Sequence, residues 1–214
     1  MKKSITILVS VIFLVTLVSF LPTSSAHAAT KPTKVYNQVI KSGKYAYCNA
    51  GNGIFRVDLK SGKIKKLVND PGVYGHYGRM AKKGKYLYYI RYSTDFRAEF
   101  FRVKTSGGKV KQLAGFLSQN GFVTKYMIKG KKIYYQEQYN LTRTNKVMKL
   151  NGKSKKNSNR KAKWKIGTSN KAGYSIIKKY GVESADTGSL LPIQYWLKVP
   201  GGKTYYLGKT FKNY

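Results

Sequence analysis

Acidic side chains are scarce in this chain. Seven Asp and Glu stand against 42 Lys and Arg in 214 residues, a formal charge of +35. That imbalance excludes a surface built to attract cations and predicts strong, salt-sensitive attraction to polyanions. Histidine is almost absent too: beyond the N-terminal segment there is only His76, in GHYGR, so no His cluster can hold zinc. GHYGR is expected to form a Gly turn. Cys48 is the one cysteine, so no disulfide forms within the chain; in YAYC it is expected to be a small buried apolar side chain. There is no GxSxG, no Walker loop and no calcium-loop pattern. The close acid pairs are Asp95/Glu99 and Glu183/Asp186, in segments expected to be loops. Glycosidase carboxylates need a fixed separation that such spacing does not supply. The chain is therefore expected to be non-catalytic, with no cofactor and no metal.

Long hydrophobic runs are missing except at the start. Lys2 and Lys3 precede an apolar run from Ile5 to Leu21, and Ala26-His27-Ala28 comes next with small residues suited to signal-peptidase cleavage. Residues 1–28 are expected to be a signal peptide, with retention as an anchor the alternative. Cleavage would remove Lys2 and Lys3 and leave +33 on residues 29–214. A secreted chain without disulfides points to a bacterial source, and the positive charge adds the expectation of a secreted, cell-wall-associated protein.

What is present is a repeat. IFRVDLKSGKIKKL (Ile54 to Leu67) returns as FFRVKTSGGKVKQL (Phe100 to Leu113) and as YWLKVPGGKTYYL (Tyr195 to Leu207). A weaker copy, KVMKLNGKSKK, starts at Lys146. Each is an apolar strand, a Gly-Lys turn and a second strand, the pattern of a β-hairpin. The turn glycines Gly62, Gly108, Gly152 and Gly202 are 46, 44 and 50 residues apart. Ahead of the hairpins stand KSGKYAY at Lys41, KKGKYLYY at Lys82, KGKKIYY at Lys129 and KAGYSII at Lys171. No helical period is present after the N-terminal segment. The pattern predicts an all-β domain over 29–214, made of four tandem four-stranded antiparallel units at about 35–69, 73–115, 122–156 and 164–208. Each unit is expected to be contiguous, with Val35 to Lys41 as one strand opening the first.

GKYLYY (Gly84 to Tyr89) followed by FFRV (Phe100 to Val103) resembles the bacterial secreted propeller-repeat proteins related to the low-density-lipoprotein-receptor YWTD type. The resemblance implies a β-propeller. This chain departs from it in lacking the YWTD tetrapeptide and in having fewer units than is usual. A small closed ring, an open arc, and a ring completed by a second copy in a homodimer all remain open.

A four-strand meander puts its first and third turns on one edge of the sheet and its middle loop on the other. By that parity all eight first and third turns share an edge, and each carries Lys and no acid. The expected polyanion-binding residues are Lys41, Lys44, Lys60, Lys63, Lys82, Lys83, Lys85, Lys104, Lys109, Lys129, Lys131, Lys132, Lys153 and Lys203. The plain alternative is that Lys and Gly are ordinary turn residues keeping the edge soluble. Lys146 to Lys165 is a further basic stretch, expected to be a solvated loop. The opposite edge takes Asp95, Glu99, Glu137, Glu183 and Asp186, with Tyr74, Tyr77, Phe96, Tyr139 and Tyr195 as candidates for stacking on a glycan. Tyr45, Tyr47, Tyr86, Tyr88, Tyr134 and Tyr205 recur at strand spacing and are expected at sheet interfaces. The expected function is an exported binding protein whose lysine edge holds an anionic cell-wall polymer or membrane surface, with a glycan or protein as partner on the other edge. The alternative is a glycan-binding or carbohydrate-active protein using the loop aromatics with Glu183 and Asp186.

Overall fold

The computed structural model describes residues 35–36, 38–69, 76–92, 98–115, 121–162, 173–180 and 191–212. The chain divides into Met1–Thr30 and Lys31–Tyr214, and all described residues lie in the second unit. The expected signal peptide is outside them. The described residues form four antiparallel sheets and no helix.

The first strand, β1 (Val35–Tyr36), does not join the sheet formed by the strands next to it in the chain. β2 (Val39–Ser42), β3 (Tyr45–Ala50), β4 (Gly53–Asp58) and β5 (Ile64–Val68) make sheet I in chain order. β6 (His76–Lys83), β7 (Tyr86–Tyr92), β8 (Ala98–Lys104) and β9 (Lys111–Ala114) make sheet II, with β1 added beside β6. Sheet III is β10 (Gly121–Lys129), β11 (Lys132–Tyr139), β12 (Thr142–Lys149) and the two-residue β13 (Lys156–Asn157). Sheet IV is β14 (Ser175–Tyr180), β15 (Leu191–Lys198) and β16 (Thr204–Lys212).

The hairpins form where the glycines permit them. Ser42 pairs with Tyr45, Lys83 with Tyr86 and Lys129 with Lys132, so each first turn has two residues. Gly43, Gly84 and Gly130 open those turns at φ +58°, +55° and +57°, the left-handed entry that a tight hairpin needs and that favours glycine.

Three expectations need correction. Val35 to Lys41 is not one strand: Val35 and Tyr36 pair with Ala81 and Met80 of sheet II, while Val39 onward belongs to sheet I. The units are therefore not contiguous, because the open flank of β6 accepts the preceding segment. Lys146 to Lys165 is not all loop, since Lys146 to Lys149 complete β12 and Lys156–Asn157 form β13. His76 lies in β6 opposite Tyr92, not in a turn. The segment expected as the first strand of the fourth unit, Trp164 to Gly167, falls outside the described residues.

Apolar clusters join the sheets in the order IV–I–II–III. Val39, Ala46, Phe55 and Val57 of sheet I pack with Ile193, Tyr195, Leu197 and Leu207 of sheet IV. Ile40, Tyr47 and Ile54 pack with Leu87, Tyr89 and Val103 of sheet II. Tyr88, Ile90 and Phe100 pack with Tyr126, Ile133 and Tyr135 of sheet III. Central strands thus bury both faces, which is why Ala46 to Ala50 and Leu87 to Ile90 are buried without alternation. Cys48 is fully buried in this core, and burial pushes its thiol up, away from reactivity.

Polar clasps repeat across these junctions. Arg56 Nη1 donates to the Thr105 carbonyl (3.2 Å), Arg102 Nη1 to the Leu150 carbonyl (3.0 Å), and the Tyr205 hydroxyl to the Leu59 carbonyl (3.0 Å). Leu59, Thr105 and Leu150 each lie immediately after the third strand of their sheet. Among the described residues no apolar cluster spans sheets III and IV. The face of sheet IV turned from sheet I carries Trp196 against Tyr206, with Tyr206 48% exposed.

Two buried tyrosines give a paired test of this core. The Tyr126 hydroxyl donates to the Arg79 carbonyl (3.1 Å) and lies 3.3 Å from the Tyr88 carbonyl, whereas the buried Tyr135 hydroxyl has no hydrogen-bond partner. Tyr126→Phe is expected to destabilise by about 1–2 kcal/mol and Tyr135→Phe to be neutral or stabilising. Urea unfolding of the two variants checks the order. A second expectation concerns acid. Asp58 accepts from the backbone N–H groups of Ser61 and Lys60 and pairs with Lys44, and these hold its carboxyl at about 2, below the ordinary 3.8. A depressed carboxyl contributes stability that is full above pH 3.8 and is lost as pH falls through about 2. The difference in Tm between wild type and Asp58→Asn should shrink across that window.

Candidate functional site: a cationic cleft between two sheets

The first and third turns do share an edge in sheets I and II. Leu59 N donates to the Lys44 carbonyl and Thr105 N to the Lys85 carbonyl, each at 2.9 Å, so the two turns are bonded side by side. In sheet III the register says the same, with Lys132 directly opposite Lys149. On this edge Lys44, Lys60, Lys63, Lys85, Lys104, Lys109, Lys131, Lys132 and Lys153 are exposed, as are Lys41 on β2 and Lys203 in the last turn of sheet IV. Lys82, Lys83 and Lys129 are half-buried at the ends of their strands.

One expectation about this edge fails. The lysine-only pattern is broken in sheet I, where Asp58 ends β4 directly opposite Tyr45 and caps the adjoining turn. Its Oδ2 lies 3.0 Å from Lys44 Nζ, and this hydrogen-bonded partner raises the Lys44 ammonium. Lys44 is thereby compensated. The matching positions in sheets II and III are Lys104, opposite Tyr86, and Lys149, opposite Lys132. One lysine of the edge, Lys44, is compensated at sheet I, and the matching acid is missing in sheets II and III.

Between sheets II and III the same edge opens into a cleft of about 620 Å³. Its cations are Lys83, Lys85, Arg102, Lys131, Lys132 and Lys149, and no acid lines it. Its walls include Tyr86, Tyr88 and Leu150. Arg102 is held in place two ways: its guanidinium lies 4.3 Å from the Tyr86 ring centroid and donates to the Leu150 carbonyl, which the Tyr88 hydroxyl also reaches at 3.2 Å. Burial pushes the Tyr88 phenol up, with the Arg102 hydrogen bond working against it. Lys132 and Lys149 are opposed on neighbouring strands, an arrangement that costs stability when no anion lies between them. A cleft lined by one sign of charge over apolar walls concentrates the potential felt by an anion.

The opposite edge fares differently. Glu99 and Glu137 are buried and engaged, Glu99 with Arg91 and Gln112, Glu137 with Lys146. They are structural partners inside sheets II and III. Tyr139 is 53% exposed beside the tight turn Asn140–Leu141, where a stacking role remains open to it. Tyr195 is a correction: it is 1% exposed, and a Cβ on Gly51 would collide with its ring, so it is core and offers no surface to a sugar. Tyr77 lies in β6. Tyr74, Phe96, Asp95, Glu183 and Asp186 fall outside the described residues. Among the described residues no group of three or more His, Cys, Asp or Glu could hold a metal ion.

Of the expected polyanion-binding residues, Lys83, Lys85, Lys131 and Lys132 meet in the cleft. Sequence reasoning put Lys149 on the lysine edge without naming it a site residue, and missed Arg102 and the Tyr86 wall. The available signal was the exchange of Asp58 for Lys104 and Lys149 at matching repeat positions.

No protein-family model matches the chain, and no curated protein matches it. Among solved structures it is similar to a chain from a prolyl endopeptidase, at 15% identity and a TM-score of 0.44, over 83% of this chain and 27% of that one. It is also similar to a chain of a nidogen/laminin complex (10% identity, TM-score 0.39, 86% of this chain, 67% of that one). A third is a putative TolB from Agrobacterium tumefaciens (12% identity, TM-score 0.31, 86% of this chain, 90% of that one). The chain spans about a quarter of the length of the prolyl endopeptidase, and the four-sheet description rests on its own strand pairings.

Proposed function

We propose that this is an exported, non-catalytic binding protein that associates with anionic cell-envelope polymers through the lysine-bearing turn edge of its sheets. In this reading the sheets are consecutive blades of a small propeller-like repeat, and the repeat serves to array turns. The observation that carries the proposal is the acid-free cluster of six cations around the cleft between sheets II and III. A solubilising edge would gain nothing from gathering like charges in a concavity, because repulsion there is stronger than on an open surface. Lysine suits the task, since a compact ammonium on a flexible stem tracks a chain of phosphates without demanding planar geometry. The glycan reading is weakened by the burial of Tyr195 and keeps Tyr139 as its described aromatic.

The test is co-sedimentation of residues 29–214 with purified bacterial cell walls, with and without their anionic polymers, across a salt series. The expected result is binding that falls steeply with salt and with removal of the polymer. Binding that survives both would overturn the proposal and favour a specific neutral glycan.

A further inference from the structure

Building on that reading, we infer that the cleft between sheets II and III is a discrete site for one phosphate group of a phosphodiester-linked chain, with the adjoining organic unit against Tyr86 and Leu150. The junction one sheet earlier has the same scaffold and serves as the comparison. There the position of Lys83 is Ser42, that of Lys132 is Tyr86, and that of Lys85 is Lys44, which is already paired with Asp58. The Arg clasp is common to both junctions, through Arg56 and Arg102. The second junction differs in Lys83 and Lys132, in Lys85, unpaired among the described residues, and in Leu150 where the first has Thr105. The cleft of about 620 Å³ lies among these residues. That volume falls within the range of ligand pockets and exceeds what one inorganic ion fills.

The choice of phosphate over carboxylate rests on the lysines. Arg102 has Nη1 on the Leu150 carbonyl and Nε buried without a partner, so it contributes a fixed positive charge in the wall. The lysines come from separate turns, Lys83 and Lys85 from sheet II, Lys131 and Lys132 from the first turn of sheet III, Lys149 from its third. Ammoniums on flexible stems rooted in separate turns suit the non-coplanar oxygens of a tetrahedral group better than a planar carboxylate. Lys132 opposite Lys149 is then a pair whose repulsion the bound phosphate relieves.

The test uses a short glycerol-phosphate oligomer, oligoglutamate of equal charge, and vesicles carrying phosphatidylglycerol, each titrated calorimetrically into residues 29–214. Two double variants with equal loss of charge are compared: Lys132→Gln/Lys149→Gln in the cleft, and Lys60→Gln/Lys63→Gln in the exposed third turn of sheet I. Wild type is expected to bind one glycerol-phosphate oligomer per chain, more tightly than oligoglutamate. The cleft variant should lose about tenfold or more in affinity, the scale of a lost charge-assisted contact. The sheet I variant should lose less than about twofold, as exposed charges do. Without ligand, the cleft variant should have the higher Tm, because the opposed lysines no longer repel. Equal losses in both variants, or a preference for oligoglutamate, would overturn the discrete site and leave the diffuse lysine edge standing. Binding to the vesicles alone would overturn the phosphodiester chain as ligand. Failure of wild type to bind any of the three would remove the broader reading as well.

Discussion

The constraint on which the structure most depends is the carbonyl just past the third strand of sheets I, II and III. Leu59, Thr105 and Leu150 occupy that place, and each receives a donor from the sheet packed in front of it: Tyr205, Arg56 and Arg102. These carbonyls are half-buried, so each clasp contributes about 0.5–1.5 kcal/mol, and it also sets how far neighbouring sheets slide past one another. Holding that register brings the turns of one sheet beside those of the next. The cleft between sheets II and III is a consequence, because its wall at Leu150 and its cation at Arg102 are the two ends of one clasp.

Charge is then distributed over a scaffold that the apolar clusters hold rigid. Where a carboxylate was needed to organise a turn, as at Asp58, the neighbouring lysine became part of the structure. The third turn of sheet III uses a neutral group for the same task, with Asn151 Oδ1 accepting from Lys153 N. Its ammoniums therefore stay uncompensated. The acids of sheets II and III were instead drawn inward to Arg91 and Lys146, away from the turn edge. The described acids, Asp58, Glu99 and Glu137, serve capping and internal pairing, and none of them lines the cleft.

Much of the fold was legible because glycine-bounded turns and strand spacing are local signals. The hairpins around Gly43, Gly84 and Gly130 are set by residues within a few positions of each other. What could not be read was non-local. Nothing in Val35-Tyr36 announces a partner at Met80–Ala81, because the pairing depends on an open strand flank supplied elsewhere. Tyr195 was misplaced for a different reason: it was read as part of the loop edge, whereas it alternates with Ile193 and Leu197 on the buried face of β15 and meets sheet I only in the assembled core. The lysine edge was visible by parity alone, but the cleft was not, since it needs turns of two sheets. Arg102 looked like part of a strand motif; only the junction shows it clasping Leu150 while stacked on Tyr86.

The central claim is that the uncompensated edge between sheets II and III is the working surface. Amide hydrogen exchange of residues 29–214, with and without a phosphate-bearing polyanion, tests it most directly. The claim predicts added protection concentrated at residues 83–86, 131–132 and 149–151, with little change in the turn at 58–63. Protection centred on the Tyr139–Thr142 turn, or spread evenly over every lysine turn, would contradict it.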